Sequence, residues 1–196
     1  MSRQFEIAKQ IIEETCSKRK LQLESIRLFA EIIQCKKYQR GDVILNEGDV
    51  CNSLFYIEQG LIRQHYVKNG KDMTEHISCE RNIVWCIQSY FNQKPTRLII
   101  EALEPCIIWE IPREAMEREA DVNSDFAYLY RRIFEDSLIL SQIKADILRF
   151  ESAKDKYKKL MQLFPEIIQR ASLTYIASYL QMSLETLSRV RSSISS

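Results

Sequence analysis

The spacing of apolar residues changes twice along this 196-residue chain, so its core must be shared between helical and extended elements. Over residues 5–33 apolar positions recur at about 3.6 (Ile7, Ile11, then Leu21, Leu23, Ile26, Leu28, Phe29, Ile32, Ile33), with a break at Cys16-Ser17-Lys18. This predicts two short helices. From Lys37 the period falls to two, in short runs such as Val43-Ile44-Leu45, Leu54-Phe55-Tyr56-Ile57 and residues 61–67. All four glycines (Gly41, Gly48, Gly60, Gly70) fall in that stretch, where tight turns need them. Beyond Ile111-Pro112 the helical period returns and persists.

Asn69-Gly70 carries the sharpest local signal, because both residues tolerate the positive φ of a type I′ hairpin turn. Pairing Lys68 with Lys71 sets Tyr66 opposite Met73 and Ile62 opposite Ile77, with Gln64 and Glu75 on the same face. Arg63, His65 and His76 are then expected on the opposite, outer face. Further strands over residues 97–103 and 106–111 bring the total to about seven or eight, enough for a small roll or barrel.

A long helix of about 28 residues, roughly 42 Å, is predicted from an N-cap at Ser124. Phe126, Leu129, Ile133, Leu140, Ile143, Ile147 and Phe150 form one stripe; Tyr130, Phe134 and Leu138 form a second. Two apolar sides imply two coverings, one the chain's own strands and the other a partner helix in a homodimer. A helix over 154–164 stopped by Pro165, then helices over 173–180 and 184–194, complete the chain.

The net charge of +1 gives no bulk attraction to nucleic acid, so a nucleic-acid reading must rest on local pattern. Residues 151–196 hold seven basic against four acidic side chains, a mild excess of +3. Six cysteines without a CxxC pair read as reduced thiols, either buried and inert or open to oxidation sensing, and His65 and His76 lack the clustering of a metal site. No metal or cofactor is expected. No nucleophile or metal constellation supports an enzyme, no apolar run is long enough to span a bilayer, and the N-terminal segment is polar rather than leader-like. A cytoplasmic protein with no membrane partner is expected.

Within SLTYIASYLQMSLETLSRVRSSI, Leu173, Ile176, Ala177 and Leu180 make an apolar face, and Ala177 is small where a second helix must cross. Gln181-Met182 supplies the turn and Ser183 caps the second helix. That helix buries Leu184, Leu187, Val190 and Ile194, and presents Glu185, Ser188, Arg189 and Ser192. Such a short, hydrogen-bonding face suits the major groove: arginine can pair with guanine, a carboxylate can accept from cytosine, and small hydroxyls let backbone approach phosphate.

These residues carry a resemblance to the Crp/Fnr superfamily. RGDVILNEGDVCNSLFYIEQGLIR resembles the first strands of its sensor, and SLETLSR (183–189) matches the recognition-helix pattern S/T-x-E-T, apolar, S/G-R. The resemblance implies an α+β chain. Residues 1–120 form a cyclic-nucleotide-binding-like, cupin-like β-roll (a double-stranded β-helix or jelly roll) with N-terminal helices. Residues 121–152 form the dimerisation helix, and residues 153–196 an all-α helix-turn-helix domain lacking a C-terminal β wing. It further implies base reading by Glu185, Arg189 and Ser188, and phosphate contacts from Ser172, Ser183, Thr186 and Arg191. The implied partners are a pseudo-palindromic double-stranded DNA operator and a second copy of the chain, with RNA polymerase a candidate.

Two departures touch the recognition motif: Leu184 replaces a polar or basic residue, and Gln181 replaces a glycine. The sensor departs further. Cyclic-AMP-binding members carry Gly-Glu-Leu followed by Arg-Ser/Thr-Ala, whereas NIVWCIQSYFNQKPTRLIIEA has no Gly-Glu pair and an Arg97 one residue out of place. An unidentified small-molecule effector near Gln64, Glu75, Trp85 and Arg97, other than cyclic AMP, is therefore expected. The alternative is a ligand-binding module whose helical tail joins protein partners without binding DNA.

Overall fold

The computed structural model describes residues 2–195, so Met1 and Ser196, the ends of the expected domains, lie outside it. The chain opens on α1 (Arg3–Thr15) and α2 (Leu23–Ile32). Ser2 caps α1 through its hydroxyl, and Ile7, Ala8, Ile11 and Ile12 form the buried stripe that the 3.6 spacing predicts.

Eight strands follow: β1 (Gln34–Tyr38), β2 (Val43–Leu45), β3 (Ser53–Gln59), β4 (Ile62–Lys68), β5 (Lys71–Ser78), β6 (Ile83–Val84), β7 (Ile99–Ala102) and β8 (Cys106–Pro112), with α3 (Ile87–Asn92) between β6 and β7. They pair antiparallel as two four-stranded sheets, β1-β8-β3-β6 and β2-β7-β4-β5. Hydrogen bonds join strands within each sheet, so the result is a roll and not a closed barrel. Leu54, Ile57, Ile62, Ile100 and Ile108 meet in one core between them.

The hairpin turn forms as its sequence requires, with Asn69 at φ 53° and Gly70 at φ 72°, and Lys68 faces Lys71. Tyr66 meets Met73, but the expected register fails beyond that point. A bulge between Gln64 and His65 leaves Glu75 as the extra residue, so Gln64 pairs with His76, Arg63 with Ile77 and Ile62 with Ser78. Glu75 therefore does not continue the Gln64 face, and His76 is on the side of Gln64. The outer face is also not open to water, because a later helix, Leu173–Tyr179, lies over it: Arg63 is 1% exposed and His65 is largely covered, and His76 on the other side is largely covered too.

After β8 comes α4 (Arg113–Val122), a separate helix not expected ahead of the long one, and then α5 (Ser124–Phe150), 27 residues and about 40 Å long. Its N-cap is Asn123 rather than Ser124, with the Asn123 carboxamide oxygen accepting from the Asp125 amide at 2.9 Å. Burial divides α5 along its length, not between its two sides. Phe126, Leu129 and Ile133 are buried in the roll and Phe134 packs against it, whereas Leu138, Ile139, Leu140, Ile143 and Phe150 are exposed.

Four helices end the chain: α6 (Ala153–Leu163), α7 (Pro165–Arg170), α8 (Leu173–Tyr179) and α9 (Leu184–Ser195). Pro165 ends α6 as expected but also starts α7, where its missing N–H would have no partner in any case. Tyr157, Leu160, Ile167, Ile176, Leu180 and Leu187 form a second core, which takes in Leu61, Ile77 and Cys79 of the roll.

One buried carboxylate ties the N-terminal helices to α5. Asp125 is 4% exposed and accepts from Arg19 at 2.7 Å, from the Gln22 amide at 2.8 Å and from the Ser25 hydroxyl at 3.0 Å. Removing it strands buried donors. Asp125→Ala is expected to cost about 2–4 kcal/mol in urea unfolding, while Glu24→Ala on exposed α2 surface changes stability by no more than about 0.5 kcal/mol.

Candidate nucleic-acid interface and effector cavity

The α8–turn–α9 unit is built from local hydrogen bonds that its sequence supplies. Ser172 caps α8, its hydroxyl accepting from the Tyr175 amide at 3.3 Å. At the far end the Met182 amide reaches the Ala177 carbonyl at 3.0 Å and the Gln181 amide reaches Ser178 at 3.1 Å, the paired bonds of a Schellman turn. Gln181 stands there at φ 54°, where glycine would be unstrained, at a cost of about 1 kcal/mol. Ser183 then caps α9 by accepting from the Thr186 amide at 3.1 Å.

On α9, Leu187 and Val190 are buried, and Glu185, Ser188, Arg189 and Ser192 share the exposed side. Glu185 is held below the usual carboxylate range by its own backbone N–H, the Ser183 hydroxyl and Arg189. It stays ionised in the first turn, where the helix dipole favours negative charge. Arg191 is exposed and Thr186 half-buried; Ser172 and Ser183 stand exposed at the N-termini of the two helices. Leu184 differs from expectation: it is 44% exposed, because as the first residue of α9 it projects at the turn before the helix enters the shared core.

Contacts that sequence reasoning missed fasten this unit to the roll. Arg170, at the end of α7, grips Glu80 with bonds of 2.7 and 2.9 Å and also bonds Glu104. The Arg63 guanidinium lies 3.8 Å from the Tyr175 ring centroid and pairs with Asp72 at 2.6 Å. The Thr74 amide donates to Ser178 at 2.8 Å, and Lys144 of α5 bonds Glu75 beside the Tyr179 ring. No local pattern marks these residues, since apart from Arg63 with Asp72 each bonded pair joins segments at least 66 residues apart. Burial lowers the basicity of both histidines. Arg63 adds to this at His65, and Lys144 adds to it at His76, pushing His76 down to about 4, so both are neutral at neutral pH.

Gln64, Glu75, Trp85 and Arg97 all line one cavity of about 520 Å³ between the roll, α3 and α5. His76 and Ser141 add to its polar wall, and an adjoining cavity of about 430 Å³ extends along α5 past Ser137 and Leu140. The Gln64 carboxamide donates to the Trp85 carbonyl at 3.1 Å. The Trp85 ring packs against Tyr90, Phe91 and Phe134. Arg97 is exposed and stacks 4.5 Å from the Tyr66 ring centroid. Among the described residues no group of three or more His, Cys, Asp or Glu is placed to hold a metal ion, and no helix is long and apolar enough to cross a membrane.

A two-sheet roll, a long helix and a helix-turn-helix follow one another along the chain. Comparison with known proteins agrees. Residues 35–123 match the family described as "Cyclic nucleotide-binding domain". The HTH-type transcriptional regulator ArcR of Staphylococcus aureus is 28% identical over 127 residues, 64% of this chain and 53% of that protein. The chain thus spans about half the length of the curated relatives it matches. FixK2 of Bradyrhizobium japonicum superposes with a TM-score of 0.67 at 18% identity, covering 83% of this chain and 84% of that one. A structure described as a Crp/Fnr-family regulator from Eubacterium rectale gives 0.66 at 15% identity, over 89% and 84%. At such identities the likeness is one of fold. Residues 35–123 thus match a cyclic-nucleotide-binding-type domain, within a fold similar to those of Crp/Fnr regulators.

The Arg170 clamp has a pH signature. Burial works against ionisation of Glu80, but the Arg170 guanidinium and the Gly60 amide outweigh it and hold its carboxyl down to about 2, from an ordinary 4.5. A depressed carboxylate stabilises the fold fully above its ordinary value and ceases to as pH falls through the lowered one. The stability gap between wild type and Arg170→Ala, measured by thermal unfolding, is expected to be constant near neutrality and to close between about pH 4.5 and 2.

Proposed function

We propose that this chain is a non-enzymatic, sequence-specific DNA-binding transcription regulator that acts in the cytoplasm as a homodimer and is gated by a small-molecule effector. The observation that carries this reading is the exposed face of α9. Glu185, Ser188 and Arg189 stand together on the outer side of a capped helix pair, with the hydroxyls of Ser172 and Ser183 at the helix N-termini. Arg189 takes a guanine and Glu185 a neighbouring cytosine amino group, with Ser188 beside them. Ser172, Ser183, Thr186 and Arg191 hold phosphates. The exposed Leu184 suits the methyl group of a thymine better than any hydrogen bond.

The bare distal half of α5 supports the dimer, since Leu138, Leu140, Ile143 and Phe150 would otherwise stay in water. Division into a sensor at 1–120, a dimer helix at 121–152 and a reader at 153–196 follows from this scheme, with RNA polymerase as a downstream partner. The effector site is the cavity of Gln64, Glu75, Trp85 and Arg97. Arg97 leans on Tyr66, and no Gly-Glu pair lies nearby, so the cavity lacks the anion cradle of a cyclic phosphate.

Enrichment from a random duplex pool is expected to yield a pseudo-palindrome with half-sites about one turn, roughly 10 base pairs, apart. Arg189→Ala should cost about 1–3 kcal/mol at one base position. Sedimentation should give a dimer that Leu140→Glu dissociates. A pool without an enriched motif favours a protein-binding tail, and a chain monomeric at every concentration overturns the reading. Calorimetry with cyclic AMP is expected to show no binding in the nanomolar to low-micromolar range.

A further inference from the structure

Five of the six cysteines are buried, and the fold brings two of them together although 35 residues separate them. Cys51 precedes β3 and is 0% exposed; Cys86 is the N-cap residue of α3 and is 2% exposed. The Cys86 amide donates to Cys51 Sγ at 3.4 Å, and the Cys51 thiol in turn lies 3.4 Å from the Ser53 carbonyl. The Cys51 amide is fixed by the Ser89 hydroxyl at 2.9 Å, so the two chain segments are held against one another. Cys86 also forms part of the wall of the 520 Å³ cavity, whose rim at Asn92, Lys94 and Arg97 is exposed to solvent.

We propose that Cys51 and Cys86 are a peroxide-oxidisable dithiol that closes to an intramolecular disulfide behind the stretch of cavity wall that Cys86 lines. The electrostatics divide the labour. Hydrogen bonds from the Cys86 thiol and amide bring Cys51 down to about 7 against the effect of burial, whereas Cys86 is pushed up by Cys51 and by burial. Cys16, Cys79 and Cys106 are all pushed up by burial, so among the buried thiols Cys51 is the one whose acidity its neighbours raise.

The reaction consumes one hydroperoxide. The Cys51 thiolate attacks the terminal oxygen, the O–O bond breaks, and the departing alkoxide or hydroxide takes a proton to leave as alcohol or water. The sulfenic acid on Cys51 is then attacked by Cys86 Sγ. An S–S bond forms, the S–O bond breaks, and the Cys86 proton leaves with the hydroxyl as water. Two thiols lose two electrons to the peroxide, and a cellular dithiol reverses the change. Oxidation removes the thiol that Gln64 approaches at 3.9 Å and stiffens the start of α3, so cavity shape changes with redox state.

The test uses the full chain and needs no DNA. Reduced protein is exposed to hydrogen peroxide, alkylated under denaturing conditions and digested. Two of its six thiols should be lost per chain, with a peptide pair linked between Cys51 and Cys86. In Cys86→Ser the reaction should stop at a sulfenic acid on Cys51 that dimedone captures, while Cys51→Ser should keep Cys86 reduced at the same dose. Persistence of all six thiols in the wild-type chain, or linkage through exposed Cys35 or another pair, overturns the proposal. The wild-type thiol count decides even if either serine variant fails to fold.

Discussion

The guanidinium of Arg63 is the point on which the arrangement of roll and C-terminal helices depends. A charge 1% exposed is tolerable only while Asp72, Glu101 and the Tyr175 ring surround it, because stripping water from an unpaired charge costs several kcal/mol. Two of its nitrogens, Nε and Nη1, have no hydrogen-bond partner, which makes the aromatic cover more important still. Undocking α8 would flood this site and expose Leu61 and Ile77 as well, so the helix-turn-helix is held to the sheet by polar and apolar terms together.

That docking runs through β5, which also borders the cavity. His76 faces the cavity with Gln64, while two residues earlier the Thr74 amide bonds Ser178 of α8. The bulge at Glu75 makes this division possible: it turns the strand, aims Glu75 at Lys144 of α5, and puts the roll, α5 and α8 in contact within three residues. Changes in the cavity wall therefore have a short covalent route to the surface on which α8 rests.

Much of the candidate site was legible because it is local. Ser172 and Ser183 as caps, the small Ala177 at the crossing, and the outward Glu185, Ser188 and Arg189 all follow from helical periodicity over a few residues. Gln64, Glu75, Trp85 and Arg97 do line one cavity, yet the reason expected for joining Gln64 to Glu75, a shared strand face, was mistaken; the bulge brings Glu75 to the same space by another path. His65 and His76 were expected on the surface because a single sequence gives no sign that a domain about 100 residues away will cover their strand.

By itself the sequence determined the change from helices to strands and back, the Asn69-Gly70 turn and the capped pair α8–α9, though not the separate helices α3, α4 and α7. These depend on backbone preferences and periodicities that act within one or two turns of chain. Only the tertiary structure decided the β5 bulge, the clamp of Arg170 on Glu80 and Glu104, the burial of Arg63, and the meeting of Cys51 with Cys86. Each is a contact between segments far apart in sequence, set by how whole layers pack, and no residue's own conformational preference encodes its partner.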